Sequence, residues 1–326
     1  MTSPTFRTLD DVHYGRVEQV SPLIRRVIAE NPSKFTYRGT GTYILGHGDV
    51  VVIDPGPRLE SHRDALAAAL AGDRVRAILV THCHSDHSPL AAWLHAETGA
   101  PTYAYGPHPP PDPTWKELAQ DDAVDADDAA SDASGDQDPV ETEESTDYEF
   151  APSIALADGD RVPETPGLTI TAVYTPGHTS NHMCWALAEE RALFTGDHVM
   201  GWSTTVVSPP DGYMADYISS LRKVADRDDS VLWPTHGPPR DDAAEFVGAL
   251  VAHRLEREQG ILAALDSGLA TIREVVALLY ADVRQELHKA AGMSVWSHLL
   301  KLLAEGQVEV EGSGPAALAA RYRRVS

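Results

Sequence analysis

Short apolar runs alternate along the chain with longer segments in which apolar residues recur every three or four positions. The first pattern is typical of buried β-strands and the second of amphipathic helices. Two β-rich runs on either side of a Gly/Asp turn at 46–49 predict a hairpin. Helical spacing over 58–71 follows, then an apolar run at 75–80 and a strand at 102–105. This alternation of strand, helix and strand predicts a layered α/β fold.

The second half of the chain first repeats this pattern and then becomes mainly helical. Apolar runs predict strands at 168–174 and 183–187 and further strands that begin at 192 and at 231, and helical spacing predicts a helix over 214–224. The elements predicted beyond residue 239 are a helix at 243–265 capped by Asp241 and Asp242, a capping box at 271–274 before a helix to 280, helices at 286–291 and 294–303, and a hairpin of 307–311 with 320–325. We therefore expect two domains, 1–240 and 241–326.

An insertion at about 107–150 interrupts the first domain. It begins rich in proline and continues into a tract from 121 to 149 that holds thirteen acidic residues and no Lys or Arg. Low hydrophobicity and dense like charge oppose compaction, so we expect about 120–148 to be disordered or loosely held.

Composition and charge exclude some classes of protein. The chain has 326 residues, 42% of them hydrophobic, and a net charge of −23. The insertion carries more than half of that charge, and no broad basic patch of the kind that a nucleic-acid binder needs is evident. There is no apolar run long enough for a membrane helix, no secretory signal, and only two cysteines, so we expect a cytoplasmic protein.

The strongest chemical signal lies directly after the apolar run at 75–80. His82, His84, Asp86 and His87 fall within six positions, and Ser88 before a proline is expected to cap the helix that follows. Alternate side chains of extended backbone share a face, so His82 and His84 can converge on one point. Asp86 and His87 can serve a second, adjacent point. The spacing therefore predicts two neighbouring metal ions, and zinc suits these donors.

Three further residues complete this pattern. His178, Asp197 and His236 each follow a β-run, in a turn that contains Gly or Pro. Strand-end loops on a rigid sheet are a common way to assemble a metal pocket, so we expect these side chains to join the first cluster.

The motifs that carry these residues resemble, in order and spacing, the signature of the metallo-β-lactamase superfamily. They are His82-x-His84-x-Asp86-His87, Gly177-His178-Thr179, Gly196-Asp197 and Thr235-His236-Gly237. The resemblance covers roughly residues 15–245 and implies a four-layer αββα sandwich with the site at one edge.

The resemblance also implies a role for each residue. The implied ligands are His82, His84 and His178 for one zinc ion, Asp86, His87 and His236 for the other, and Asp197 as the bridge. Iron or manganese would also fit. Asp86 and Asp197 are then the catalytic residues, acting around a hydroxide that bridges the metals, and Asp54 matches an acid that orients a ligand histidine.

The helices and hairpin after residue 240 resemble the winged helix appended to one subgroup of this superfamily, which includes a mitochondrial endoribonuclease and fungal polyketide thioesterases. Its candidate recognition helix, 294–303, offers only Lys301 and His298 as basic side chains. Because phosphate contacts supply most non-specific affinity for nucleic acid, this is a poor footprint, and we expect a packing role instead.

We therefore expect a dinuclear zinc hydrolase that acts on a carboxylic ester or thioester, with a small-molecule or acyl-carrier substrate. The main alternative is an endoribonuclease or other phosphodiesterase, which basic residues in the cleft would favour; Arg38 and Arg240 are the nearest candidates. A mononuclear iron sulfur dioxygenase and a nucleic-acid-binding regulator with a structural metal are further alternatives.

Several other side chains are candidates for lesser roles. Cys83 and Cys184 are expected to be small buried hydrophobes rather than ligands. His182 and His198 stand beside ligands, where they would contact substrate or support the ligands. The remaining candidates, expected to be ordinary surface or core histidines, are His47, His95, His253, His288 and His298.

Overall fold

The computed structural model describes residues 3–110, 112–119, 145–283 and 285–325. Its larger sheet has seven strands in sequence order, antiparallel from β1 to β4 and parallel from β4 to β7. The strands are β1 (Val17–Ser21), β2 (Ile24–Ile28), β3 (Gly41–His47), β4 (Asp49–Ile53), β5 (Arg74–Leu79), β6 (Thr102–Ala104) and β7 (Ile154–Ala155). The predicted hairpin around 46–49 is the β3–β4 pair.

A second sheet of four strands packs on the first. It consists of β8 (Ile170–Tyr174), β9 (Met183–Leu187), β10 (Ala192–Gly196) and β11 (Val231–Pro234) in the order β11-β10-β9-β8. Strands β8 to β10 are antiparallel, and β11 runs parallel to β10. The facing sides of the two sheets share one apolar core, in which Tyr43 and Leu79 of the first sheet join Trp185 and Phe194 of the second.

Helices cover the outer faces of both sheets. The α-helices of the described residues, including those of the C-terminal part, are α1 (Glu60–Ala69), α2 (Leu90–Thr98), α3 (Pro113–Leu118), α4 (Met214–Ala225), α5 (Ala243–Asp266), α6 (Ile272–Leu279) and α7 (His288–Ala304). Leu66 of α1 and Leu94 of α2 are buried on the first sheet, whereas α4 and α5 bury Leu221 and Phe246 on the second. The result is the predicted four-layer αββα sandwich.

The long helix α5 joins this sandwich to the C-terminal part of the chain. Its first half buries Leu250 against the second sheet, and its last turns bury Ile261 and Leu265 in a separate core with α6, α7 and the hairpin. That hairpin pairs β12 (Val308–Val310) with β13 (Tyr322–Arg324), as predicted. A domain boundary at residue 241 stays a prediction, because α5 contributes to both cores.

Three local predictions about the C-terminal helices have different outcomes. The capping box is present, since Thr271 and Glu274 each accept from the other's backbone N–H. The prediction of two helices at 286–291 and 294–303 is wrong, because α7 runs unbroken through Gly292, a glycine that one helix tolerates at a cost of about 1 kcal/mol. Asp242 precedes α5 but makes no capping hydrogen bond, because Arg240 binds its carboxylate at 2.6 and 2.9 Å.

The described ends of the insertion are ordered. The short helix α3 was not predicted; Asp112 caps it, and Trp115 packs edge-on against Trp296 of α7. The prediction of a loosely held chain is wrong at 145–148, where backbone bonds tie Ser145 and Asp147 to the loop after β5. Residues 120–144 lie outside the described part of the chain. Within the described part, no helix has the length and apolar character needed to cross a membrane.

Candidate metal centre

The loop that follows β5 delivers four of the candidate ligands to one edge of the sandwich. His82 and His84 point to the same place, as alternation predicts, with His82 Nε2 2.9 Å from His84 Nδ1. His178, in the turn after β8, brings its Nε2 to 3.3 Å from the same His84 nitrogen. All three residues are buried, and their nitrogens could hold a metal ion.

A second group converges beside the first. The Oδ2 atom of Asp86 lies 3.3 Å from Nε2 of His87 and 3.2 Å from Nε2 of His236. Asp197, which follows β10, places Oδ1 3.6 Å from His87 and Oδ2 3.4 Å from His236. Its Oδ2 is also 4.0 Å from Nε2 of His178 in the first group. The structure therefore brings all seven predicted residues together as two adjacent groups with Asp197 between them.

The residues present fit divalent cations. Three buried atoms of the cluster, Nε2 of His87, Nε2 of His236 and Oδ1 of Asp197, have no hydrogen-bond partner among the described residues. Leaving a buried polar atom unpaired costs about 1–3 kcal/mol, so their convergence needs a ligand that satisfies them together. Imidazole nitrogens with carboxylate oxygens form the donor set that zinc accepts.

Asp54 holds one of these histidines in place. Fully buried at the end of β4, it accepts from Nδ1 of His87 at 2.8 Å, which leaves Nε2 directed at the cluster. The same carboxylate accepts from the N–H and hydroxyl of Thr81, both at 2.8 Å, and from the hydroxyl of Thr235 at 3.0 Å. These four bonds also hold Asp54 at a φ of +48°, a region that side chains other than glycine rarely adopt.

Backbone carbonyls orient two more histidines. His178 Nδ1 donates to the carbonyl oxygen of Val206 at 2.7 Å, and His236 Nδ1 donates to that of Gly39 at 3.2 Å. Each of these bonds fixes the ring so that the other nitrogen faces the cluster.

The two groups differ in their electrostatics. Burial alone would lower the pKa of His87, but the carboxylates of Asp86 and Asp197 raise it to about 9. The pKa of His236 is raised for the same reason, well above its usual value. In the first group burial lowers the pKa of His84 to about 4, so its ring is uncharged at neutral pH. The carboxylate-rich group thus carries protons that a metal cation would replace.

The turn before His178 requires glycine. Gly177 has a φ of +137°, and a Cβ there would overlap the backbone of Tyr217 in α4. Hydrogen bonds reinforce this contact, because Tyr213 N–H donates to the carbonyl of Gly177 at 2.9 Å. The position of His178 therefore depends on the close approach of α4.

Other predicted side chains take supporting places. His182 and His198 are fully buried and do not line the cleft described below, which excludes direct substrate contact there and leaves support of the ligands as the open prediction. Nδ1 of His182 lies 2.9 Å from the Thr175 hydroxyl. Cys83 and Cys184 are buried as predicted, and burial raises the pKa of each thiol to about 12.

Two side-chain contacts near the cluster were not predicted from the sequence. The Thr40 hydroxyl donates to Oδ2 of Asp86 at 2.7 Å, although the threonine lies before β3 and far from Asp86 in sequence. Ser88 does not cap α2, because its hydroxyl donates to Asp147 of the insertion at 2.7 Å instead. Neither contact has a sequence signal, since each depends on how distant segments meet.

A cleft of about 1230 Å³ opens onto the cluster and is lined by His84, His178 and Asp197 there. It continues between the sandwich and the C-terminal helices. Arg38 and Arg240, the nearest basic candidates in the sequence, are not among its lining residues, and Arg240 is buried against the ring of Phe246 and bonded to Asp242. The lysines and arginines that line its described part are Lys34, Lys116, Arg254 and Arg257, and His253 lies beside the two arginines.

The predicted recognition helix lies within α7 and presents no basic surface through the two residues singled out. His298 is fully buried, and Lys301 is 8% exposed. The ammonium group of Lys301 is paired with Glu258 at 2.8 Å and with Glu305 at 2.9 Å. These side chains support the packing role that was expected, since neither is available to a phosphate backbone.

Comparison with known proteins agrees with this architecture. Residues 37–236 match the family model of the metallo-beta-lactamase superfamily, and residues 271–317 match that of the beta-lactamase associated winged helix domain. The chain is 29% identical to the beta-lactamase-like protein 2 homolog of Caenorhabditis elegans, with 91% of this chain and 90% of that one covered. It is 30% identical to an atrochrysone carboxyl ACP thioesterase of Aspergillus chevalieri, with 91% and 86% covered.

A solved structure supports the same assignment of fold. The crystal structure of a beta-lactamase domain protein from Burkholderia ambifaria superposes with a TM-score of 0.71 at 22% identity, covering 97% of this chain and 96% of that one. The first family model spans more than half of the chain. The chain is a hydrolase that belongs to the metallo-β-lactamase superfamily and carries a β-lactamase-associated winged helix.

Proposed function

We propose that this hydrolase holds two zinc ions and cleaves carboxylic esters or thioesters. The observation that carries the proposal is the convergence of seven buried side chains on two adjacent points, with Asp197 facing both. The proposed ligands are His82, His84 and His178 for one ion, Asp86, His87 and His236 for the other, and Asp197 for both. The same donors would accept iron or manganese.

The chain supplies the ligands and their charge. Two divalent cations at this position would bring the pKa of a shared water near neutrality and polarise the scissile carbonyl. Burial opposes ionisation, but His87 lowers the pKa of Asp86 and His236 lowers that of Asp197, so both carboxylates stay charged. These two carboxylates would offset the charge of the metal cations. Asp54 keeps the His87 ring oriented with Nε2 toward the cluster.

The choice of ester or thioester rests on the relatives and on the cleft. Curated relatives that align over most of this chain are named as acyl-carrier-protein thioesterases. The cleft is wide enough for a bulky acyl group, and apolar side chains such as Phe35, Trp202 and Met293 line it. A small-molecule or carrier-bound acyl substrate fits these features.

A phosphodiesterase is the second candidate, and one observation favours it. Arg254 and Arg257 line the cleft, and guanidinium groups bind phosphates well. The buried state of Lys301 and His298 argues against the winged helix as an RNA platform.

The test compares the wild-type protein with Asp197→Ala and with Asp64→Ala, an exposed control on α1. Each is assayed for hydrolysis of an acyl thioester and of a labelled RNA. We expect thioester hydrolysis that falls by at least about 10³-fold in Asp197→Ala and is kept in Asp64→Ala. RNA cleavage with the same dependence on Asp197 would establish the second candidate instead. RNA binding that survives chelation, without hydrolysis, would point to a regulator.

A further inference from the structure

The wall of the cleft that α5 forms carries a cluster of basic side chains. His253, Arg254 and Arg257 all line the cleft, within little more than one helical turn. This is unusual in a chain of net charge −23, and the proposed chemistry at the metal cluster does not use these residues.

The two guanidinium groups are incompletely paired. Arg254 is 4% exposed and donates to the carbonyl oxygen of Thr205, and Arg257 donates to that of Leu279 at 2.8 Å. Each also lies over a tyrosine ring, Arg257 at 4.7 Å from that of Tyr280. In the part of the chain that the structure describes, neither has a carboxylate within 4 Å. Their positive charge is therefore only partly compensated.

The neighbouring imidazole of His253 is uncharged at neutral pH, so the two arginines carry the positive charge of this wall. Burial first, and then the charges of Arg254 and Arg257, lower the pKa of His253 to about 4. The described acidic side chains that line the cleft are engaged elsewhere: Asp112 caps α3, Asp197 belongs to the metal cluster, and Asp211 pairs with His108 at 3.1 Å. The wall is thus a positively charged region inside a cleft of otherwise mainly apolar lining.

The position of this wall relative to the reacting bond follows from the contacts of Arg254. It bonds to Thr205, whose hydroxyl donates to the carbonyl oxygen of Asp197 at 2.8 Å. Arg257 lies three residues further along α5, or about 4.5 Å at 1.5 Å per residue. The cleft therefore leads from the metal cluster past Arg254 to Arg257, and a substrate in it would meet both.

We propose that His253, Arg254 and Arg257 form a subsite for an oxyanionic group of the substrate, a carboxylate or phosphate remote from the bond that is cleaved. This inference rests on the proposed hydrolysis of esters or thioesters and narrows its substrate class to acyl compounds with a second anionic group. Guanidinium forks bind carboxylates and phosphates in the same bidentate manner. The bound anion would supply the negative charge that no described carboxylate provides next to the two guanidinium groups.

The test uses the metal-loaded full-length chain and matched thioesters. One series carries α,ω-dicarboxylic acyl groups of six to ten carbons on N-acetylcysteamine, and its control series carries monocarboxylic acyl groups of the same lengths. A third series carries the same monocarboxylic acyl groups on coenzyme A, so that the anionic group is a phosphate in the thiol part of the substrate rather than a carboxylate in the acyl part. The variant is Arg257→Gln, and Arg222→Gln on the exposed face of α4 is the matched control.

We expect the wild-type protein to prefer one anionic series over its neutral counterpart in kcat/KM. Arg257→Gln should reduce that preference about 10- to 100-fold, and Arg222→Gln should leave it unchanged. A preference for the dicarboxylic series identifies a carboxylate, and a preference for coenzyme A identifies a phosphate. An unchanged preference in Arg257→Gln, or an equal loss on charged and neutral substrates, would overturn the subsite.

If the wild-type protein cleaves none of these thioesters, the proposed function fails, and the subsite is judged by binding alone. Calorimetry then compares sebacate with decanoate, which share one carboxylate for the metal cluster. Tighter binding of sebacate that Arg257→Gln abolishes would support the subsite. Equal binding of the two acids would overturn it.

Discussion

Replacement of Gly177 by alanine tests how the metal cluster depends on α4. The added Cβ would lie 2.5 Å from Cβ of Tyr217 and overlap the backbone of that residue, at a φ of +137°. Overpacking of this kind costs about 1–3 kcal/mol, and a side chain at such a φ costs about 1–3 kcal/mol more. We therefore expect Gly177→Ala to lower the free energy of unfolding by about 2–6 kcal/mol, a large part of a typical total of about 5–15 kcal/mol.

The consequence for the metal follows from the next residue. His178 is held by the carbonyl oxygen of Val206 on one side and by this turn on the other. Displacement of α4 should therefore weaken metal binding by His82, His84 and His178. The assays are urea unfolding and metal content per chain. Gly248→Ala in α5 is the control, because its new Cβ meets no atom within 4 Å and should add up to about 1 kcal/mol of stability. Wild-type stability and full metal content in Gly177→Ala would refute the reasoning.

Three further substitutions test other parts of the account. Asp54→Asn should weaken metal affinity about 10- to 100-fold, because His87 loses its charged acceptor; a chelator-competition titration with unchanged affinity would contradict this. Lys301→Met should cost about 3–5 kcal/mol in urea unfolding because it leaves the buried Glu258 without its ammonium partner, and adding Glu258→Gln should recover part of that loss; no recovery would argue against the pairing. Thr271→Ala should cost about 1 kcal/mol through loss of the capping box, whereas Thr271→Ser should be nearly neutral; equal effects would contradict the capping role.

The sequence predicts most of the sandwich because the spacing of apolar residues differs clearly between its strands and its helices. Strand β9 has the predicted bounds and β10 has the predicted start, since a charged turn separates the two buried runs. The sequence predicts two helices where α7 is continuous, because glycine at 292 disfavours a helix, whereas packing of Gly292 against Ile272 of α6 is compatible with one unbroken helix. Tertiary packing overrides local propensity at such points.

The candidate ligands were predictable and their surroundings were not. His82 and His84 follow from strand parity, and Asp86 and His87 from the turn after them. The carbonyl oxygen of Val206 carries no side-chain signal, so its bond to His178 could not be read from the sequence. The basic residues of the cleft were missed for a related reason, because their place depends on how α5 docks on the second sheet.

The most direct test of the central claim is the metal content of the wild-type chain. Protein prepared without added metal is analysed by elemental analysis, beside a chelated sample reloaded with zinc. We expect about two zinc ions per chain in both samples, because two groups of buried ligands meet at Asp197. A single iron per chain, or no metal retained after reloading, would contradict the dinuclear hydrolase.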